Sequence, residues 1–384
     1  MRNIFKPVRN RFEMVVRLLT GLFLILFAYK LYRLFFIHNK LNDYLFSENL
    51  LHYEGGYIRR SFLGNLFVAL PESYWRLGIM LLYSALLILL VVFIYKACNN
   101  VYALMIFLCA PFGLRMLMFD YGSLYRKEFM FYFLILAVII LYKKSKDHTR
   151  NLIIVTALSA LMVMVHESFI FLGMPVIAWI LYVNQAGRKR VLAYVFLCSG
   201  AFLMLSQMPS SSQIQALDQF FAARNIDWNK TRLYLTMNRT ETIKFSLAHL
   251  LQGSILFYLL YFLPLVLYMF YMRMINRKMI ILLAVQMILC MVLCTIAIDY
   301  GRWLSFVLIS FFICLFVYGD LGELTRRIRD SAREKLIYVV VLLLMLSVFL
   351  PHHIEDYRFT ASFIEYSFFE KISHSFSELM RENQ

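Results

Sequence analysis

Apolar runs of roughly 20 residues, separated by short polar segments, follow one another along most of the chain. A helix needs about 20 apolar residues to cross the hydrocarbon core of a bilayer, so these runs predict membrane-spanning helices. Hydrophobic residues make up 61% of the 384 positions, against roughly 45–50% in soluble domains. The sequence therefore predicts an all-α protein, a polytopic transmembrane helical bundle.

The basic residues indicate how this bundle is oriented. The net charge is +16, but most Lys and Arg stand in short clusters directly after apolar runs, which is the pattern that orients membrane helices. We therefore expect no nucleic-acid partner. Five basic residues within positions 1–17 place the N-terminus in the cytoplasm. Following the runs from there predicts about eleven helices, with the N-terminus inside and the C-terminus outside.

We predict a single membrane domain over residues 1–384, without an internal repeat. Two longer polar segments fall on the outer face: residues 38–75 and the larger loop 208–250. Within the first, the half-apolar piece 61–70 is a candidate for a helix lying along the membrane interface. The six cysteines lie within or at the edge of apolar runs, so we predict that they are small buried residues.

One pair of helices constrains the geometry of the outer face. Only 33 residues separate Arg150 from Asn184, and basic clusters at both ends favour a hairpin. Each arm would then be about 24 Å long, against a membrane core of about 30 Å, so the turn at His166 and Glu167 should lie in a crevice. The alternative is one long tilted helix, which would invert the topology of everything downstream.

This topology places four polar segments on the same outer face, where we expect them to form one site for an anionic substrate. Ionisable side chains at membrane depth cost about 2.5–3.5 kcal/mol each and are commonly functional. The candidate site residues are Glu54, Arg59 and Arg60 in the first segment; Asp120, Arg126 and Lys127 in the second; His166 and Glu167 in the third; and Asp299 and Arg302 in the fourth.

The chemistry of these residue types suggests two kinds of role. The planar forks of arginine suit phosphate or carboxylate groups, so Glu54 and the basic members are predicted to bind substrate. His166, Glu167, Asp120 and Asp299 are candidates for a catalytic acid or base. Because no second His or Cys falls at helical spacing from His166, we assign no metal-binding residue and no cofactor, and the use of a divalent metal stays open.

Each segment also has a purely structural interpretation. The two adjacent arginines could extend along the membrane interface to reach water, and residues 120–128 could form a salt-bridge network that caps a helix hairpin. His166 could be a hydrogen-bonded core residue. Asp299 and Arg302 could form a plain ion pair, with the neighbouring aromatic residues in an interfacial belt.

A family resemblance rests on short motifs in these same segments. They are Gly-Tyr-Ile-Arg-Arg-Ser-Phe-Leu-Gly (56–64), Arg126-Lys127-Glu128, His166-Glu167 and Asp299-Tyr300-Gly301-Arg302-Trp303. Together with the hydropathy plan they resemble the Wzy-like O-antigen and capsule polymerases of bacterial surface-polysaccharide loci. The resemblance implies a multi-pass protein of the bacterial inner membrane that joins polyprenyl-diphosphate-linked oligosaccharide units on the periplasmic face. It implies the lipid-linked glycan, the lipid bilayer and a chain-length regulator or other assembly proteins as partners.

Three other functions stay open at this point. A membrane glycosyltransferase of the GT-C kind would add a single sugar from a lipid-linked donor, and such enzymes carry an acidic residue in the first outer loop, here Asp43, Glu48 or Glu54. A transporter or flippase of an anionic glycolipid or solute would be expected to show paired broken helices and an internal repeat. A scaffold for glycan assembly would carry out no chemistry.

Overall fold

The computed structural model describes residues 11–36, 41, 43–53, 56–98, 100–111, 125–145, 147–205, 207–237, 239–251, 254–296 and 300–347. These residues form 17 α-helices and no sheet, which confirms the all-α class. In chain order the helices are α1 (Arg11–Phe36), α2 (Asp43–Asn49), α3 (Phe62–Val68), α4 (Trp75–Ala97), α5 (Val101–Cys109), α6 (Phe129–Lys144), α7 (His148–Val165), α8 (Phe169–Val183), α9 (Arg188–Leu205), α10 (Ser211–Ala222), α11 (Asn229–Thr236), α12 (Arg239–Leu251), α13 (Ser254–Tyr271), α14 (Arg277–Cys294), α15 (Tyr300–Tyr318), α16 (Gly322–Asp330) and α17 (Ala332–Leu346).

Five stretches of helix in the described part of the chain are long and apolar enough to cross a membrane. They are Arg11–Tyr29, Glu72–Ala97, His148–Val165, Arg277–Cys294 and Tyr300–Tyr318. Two shorter apolar helices, Phe169–Val183 and Tyr258–Tyr271, accompany them. This set indicates a multi-pass membrane protein.

Within the described residues, each of the eleven predicted apolar runs contains one helix. The remaining six, α2, α3, α10, α11, α12 and α16, lie in segments predicted to be polar connections. The segment 61–70 thus contains a helix, α3, while its place at the membrane interface stays a prediction. The predicted loop 208–250 contains most of three helices, α10, α11 and α12. Helix α10 begins with a capping box between Ser210 and Gln213. The number of membrane-crossing helices and their orientation also stay predictions.

The chain divides into two compact units. The first comprises the described residues within 1–37, 94–123 and 243–384, and the second those within 38–93 and 124–242. In the first unit, nearly every residue of α15 is buried, and α15 packs against α13 and α14. Asn100 caps α5 by accepting from the backbone N–H groups of Tyr102 and Ala103, and its Nδ2 donates to Thr325 Oγ1 of α16 at 2.7 Å. All six cysteines are buried, as predicted.

The second unit contains the helices that position most of the candidate residues. Helices α6, α7, α8 and α9 pack against one another, α2 packs against α3 and α11, and α3 packs against α7. Helices α7 and α8 are joined only by His166–Ser168 and contact each other. This confirms the predicted hairpin and excludes the single long helix.

Candidate functional site

The adjacent arginines 59 and 60 occupy the turn that precedes α3. Arg60 has φ +67°, in the left-handed region that non-glycine residues adopt at a cost of about 1–3 kcal/mol. Its guanidinium forms a two-pronged contact with the Glu167 carboxylate, with Nε 2.8 Å from Oε2 and Nη2 2.5 Å from Oε1. Arg59 reaches the same carboxylate through Nη1 at 3.4 Å. Two predicted polar segments, 107 residues apart, therefore meet at one acid.

Arg126 brings a third part of the chain to this point. Its Nη1 donates to Glu48 Oε2 at 3.1 Å and to the Tyr44 hydroxyl at 3.0 Å. The guanidinium carbon lies 4.8 Å from the centroid of the Tyr44 ring, a cation–π distance. The other oxygen of Glu48 lies 3.9 Å from Nη1 of Arg60, so Glu48 lies between Arg60 and Arg126.

His166 is held by Ser168, the residue that directly precedes α8. Its Nδ1 accepts hydrogen bonds from the Ser168 backbone N–H at 3.1 Å and, in the arrangement the geometry favours, from the Ser168 hydroxyl at 2.8 Å. Its Nε2 lies 3.6 Å from Glu128 Oε1. Because a backbone N–H can only donate, Nδ1 must be the acceptor, and the neutral ring carries its proton on Nε2, towards Glu128.

Lys127 joins these residues through a hydrogen bond from its Nζ to the backbone carbonyl of Arg60. The connected set is called the ionic cluster below: Glu48, Arg59, Arg60, Arg126, Lys127, Glu128, His166 and Glu167. All belong to the second unit. Four cations and three carboxylates give the cluster a formal charge of +1 when His166 is neutral. A site with this composition has a surplus of positive charge that suits an anionic ligand.

The two best-connected carboxylates of the cluster are held in the charged form. Burial alone would raise the pKa of Glu48, but Arg126, Lys127 and Arg60 hold it below its ordinary value. Burial likewise opposes ionisation of Glu167, yet Arg60 above all keeps the pKa of that carboxyl well below its usual range. The pKa of Arg60 is raised by Glu167 in spite of burial. This pair is therefore ionised across the physiological range.

For Lys127 and His166, burial outweighs the neighbouring charges and lowers the pKa. Burial lowers the pKa of Lys127 to about 8, although Glu48 and Glu167 favour its charged form. Burial and the nearby Arg60 charge lower the pKa of His166 to about 4. His166 is therefore neutral at pH 7, and Lys127 is mostly protonated there.

Exposure within the cluster is graded. The side chains of Arg59, Arg60 and Glu167 are 12%, 20% and 16% exposed, whereas that of Glu48 is 4% exposed and Lys127 is fully buried. A solute that approaches the cluster therefore meets the two arginines and Glu167 first.

Two residues outside the cluster hold its parts in place. The Asn49 amide donates to the carbonyls of Leu45 at 2.9 Å and Tyr125 at 3.1 Å, and its oxygen accepts from the Tyr83 hydroxyl at 2.8 Å. It thereby ties α2 to α4 and to the turn that contains Arg126. Gly64 lets α3 approach the backbone after α2, because a Cβ there would lie 1.6 Å from the carbonyl oxygen of Leu51.

Helices α10 and α11 cover the segment that leads to the arginines. Gln213 Nε2 donates to the Tyr57 carbonyl at 2.9 Å, and Arg59 Nη2 donates to the carbonyls of Tyr234 and Leu235 at 3.2 and 3.3 Å. Gly56 has φ +117°, and a Cβ there would meet Gln213 at 3.0 Å. This glycine therefore serves a turn and a contact within the protein.

The structure brings six of the ten predicted site residues together, namely Arg59, Arg60, Arg126, Lys127, His166 and Glu167. Glu54, Asp120 and Asp299 lie outside the described residues. Arg302 belongs to the first unit, in the first turn of α15. Beside it Tyr300 and Trp303 are buried, which argues against an interfacial aromatic belt there.

Two carboxylates of the cluster were not among the predicted site residues. Glu128 follows Lys127 directly, and Glu48 was considered only as one of three acids in the first outer segment. The spacing of Tyr44 and Glu48, four residues apart, could have indicated Glu48, since residues at i and i+4 share one face of a helix. Both contact Arg126.

The described residues thus define a multi-pass helical membrane protein with a buried ionic cluster at a helix-hairpin turn. In the part of the chain that the structure covers, no three His, Cys, Asp or Glu side chains are grouped so that they could hold a metal ion. No protein-family model, curated protein or solved structure shows a significant match to the chain.

Proposed function

We propose that this protein is a glycosyltransferase of the bacterial inner membrane that joins polyprenyl-diphosphate-linked oligosaccharide units on the periplasmic face, as a surface-polysaccharide polymerase. The observation that carries the proposal is the convergence of four cations from two distant polar segments, with Arg59 and Arg60 at the accessible edge. A diphosphate leaving group needs fixed positive charge where its own charge develops. Two guanidinium forks side by side suit two linked phosphates.

The resting site contains its own anion, Glu167, in the place where the diphosphate would bind. In the proposed mechanism the diphosphate takes over the forks of Arg59 and Arg60, and Glu167 is released. Away from the cations that hold its pKa down, the carboxylate becomes a stronger base. It can then accept the proton of the acceptor hydroxyl while that oxygen attacks the anomeric carbon and the bond to the lipid diphosphate breaks.

The geometry favours Glu167 over His166 as this base. The lone pair of His166 Nδ1 is already used by Ser168, and its Nε2–H faces Glu128. We assign His166 a positioning role, in which it fixes the α7–α8 turn that carries Glu167. Asp120 and Asp299 stay predictions as acid or base residues.

Glu48 favours a second candidate, a GT-C-type transferase that adds one sugar from a lipid-linked donor. Such enzymes place an acid in the first outer segment, and among the acids of that segment that the structure describes, Glu48 belongs to the ionic cluster. The two candidates differ in their products. Loss of a polymerase leaves single repeat units on the lipid, whereas loss of a single-sugar transferase leaves repeat units that lack one sugar.

The proposal is tested by complementing a deletion strain of the source organism with Arg60→Ala and Arg60→Lys. We expect Arg60→Ala to abolish long polysaccharide chains, and Arg60→Lys to restore them only in part, because an ammonium lacks the planar fork. Arg232→Ala is the matched control, since Arg232 forms a half-exposed pair with Asp218 in the same unit. Chains of normal length from Arg60→Ala at equal protein level would refute the proposal.

A further inference from the structure

Lys127 is the most deeply buried cation of the ionic cluster. The residue has no solvent exposure, and its Nζ donates a hydrogen bond to the backbone carbonyl of Arg60. The sequence placed Lys127 among the substrate-binding residues, but an ammonium enclosed in this way has no open path to a solute. Its contact with a backbone carbonyl indicates a role in shaping the site.

The carbonyl in question belongs to the residue whose backbone is strained. Arg60 adopts φ +67°, and such a conformation persists only where surrounding contacts over-determine it. A hydrogen bond from a charged donor is roughly twice as strong as one between neutral groups. Lys127 therefore fixes the peptide group that follows the left-handed residue. In this turn the adjacent side chains of Arg59 and Arg60 both reach Glu167.

We propose that Lys127 is a positioning residue that holds Arg60 in its left-handed conformation and so keeps the two guanidinium groups directed at one anion site. The nature of the anion rests on the proposed function, whereas the tether between Lys127 and Arg60 does not.

The groups around Lys127 make this tether sensitive to pH. Glu48 faces it from α2, Glu167 from the α7–α8 turn and Glu128 from the next position, while the Arg60 cation opposes its charge. With a pKa of about 8, Lys127 loses its charge as the pH rises through that value. The neutral amine is a weaker donor, and the site loses one positive charge. Anion affinity should therefore fall above about pH 8.

The experiment uses the full-length protein in nanodiscs with farnesyl diphosphate as the probe, since phosphate esters with a pKa near 6 are ionised throughout pH 7–9. Lys127→Met removes the donor and the charge at similar size. We expect about tenfold weaker binding at pH 7 and no further decline between pH 7.5 and 9. Amide hydrogen exchange in residues 57–61 should become faster, because the turn loses its tether.

Two further variants keep the test decisive. Lys127→Gln retains a donor without the charge, so it should slow the exchange of residues 57–61 relative to Lys127→Met and still lack the pH dependence. Lys230→Met is the matched control, because it changes the net charge by the same amount. The Nζ of Lys230 lies 5.3 Å from the centroid of the Tyr44 ring. The Lys230→Met variant should keep both the wild-type pH profile and the wild-type exchange.

Wild-type exchange in residues 57–61 of Lys127→Met would overturn the positioning role, even if affinity fell. An unchanged pH profile in that variant would overturn the assignment of the pH dependence to Lys127. If the wild-type protein bound no farnesyl diphosphate at any pH, the proposed function would fail. The exchange comparison would still test the tether on its own.

Discussion

Replacing Glu167 by glutamine should make the protein less stable and a better binder of diphosphate at the same time. In the resting site the Glu167 carboxylate accepts from Arg60 at 2.8 and 2.5 Å and from Arg59 at 3.4 Å. An amide of the same size keeps the packing but removes the charge that satisfies both guanidinium groups. The two cations then lose the carboxylate that they share, while Glu48 stays 3.9 Å from Nη1 of Arg60.

The burial of the pair sets the size of the effect. Removing one partner of a fully buried ion pair costs about 3–5 kcal/mol, and an exposed pair contributes about 0–1 kcal/mol. The three side chains are 12–20% exposed, so we expect a destabilisation of about 2 kcal/mol. A ligand no longer has to displace the carboxylate, and its affinity should rise about tenfold, equivalent to about 1.4 kcal/mol.

Thermal unfolding with a thiol-reactive dye measures both effects, because all six cysteines are buried in the folded protein. Glu167→Gln should unfold at a lower temperature than wild type without ligand. At a fixed concentration of farnesyl diphosphate it should show the larger upward shift, since ligand stabilisation grows with affinity. Asp218→Asn, which makes the same charge change at the half-exposed Arg232–Asp218 pair, should change neither value appreciably.

Either of two other outcomes would contradict the proposed role of Glu167. If Glu167→Gln were as stable as wild type, the carboxylate would not be the partner that holds the arginines. If it were less stable but bound farnesyl diphosphate more weakly, Glu167 would support the ligand site instead of occupying it.

Two further predictions concern stability. His166 has a folded-state pKa of about 4 against an ordinary value near 6.5, so the unfolded chain binds more protons between these values. The contribution of His166 to stability is therefore present above pH 6.5 and is lost as the pH falls towards 4, by up to roughly 3 kcal/mol. His166→Asn should flatten the dependence of the melting temperature on pH between 6.5 and 4.5. An unchanged pH dependence would contradict the prediction. Gly64→Ala should prevent folding or lower the melting temperature strongly, because the added Cβ would overlap a backbone carbonyl. Gly200→Ala in α9 should be tolerated, since a Cβ there meets nothing within 4 Å. Equal melting temperatures of the two variants would show that α3 does not pack as described.

The sequence was sufficient to predict the apolar helices and the α7–α8 hairpin, because length and hydropathy are local properties of each run. It was not sufficient for the short helices α2, α10 and α11. Isolated helices below about 12–15 residues are marginal in water and depend on tertiary packing. Here the contacts are supplied by partners far away in the chain, such as Ser47 and Thr231, whose hydroxyl groups lie 2.8 Å apart.

The membership of the ionic cluster was predictable only in part. Hydropathy and charge placed the arginine pair, Arg126 and Glu167 on one face of the predicted topology, which is why they were candidates for one site. Which cation would meet which carboxylate was not predictable, because the Arg60–Glu167 contact joins residues 107 apart. It also depends on a left-handed turn at a residue type that rarely adopts one.

The proposed function requires that this protein transfer glycan from a polyprenyl diphosphate at a site built on Arg60. The most direct measurement incubates the purified protein in nanodiscs with a radiolabelled polyprenyl-diphosphate oligosaccharide and follows both glycan length and free polyprenyl diphosphate. We expect both to increase together with the wild-type protein and with Arg232→Ala, and neither to increase with Arg60→Ala. Wild-type protein that binds the lipid without releasing polyprenyl diphosphate, or an Arg60→Ala variant that transfers at the wild-type rate, would contradict the proposed function.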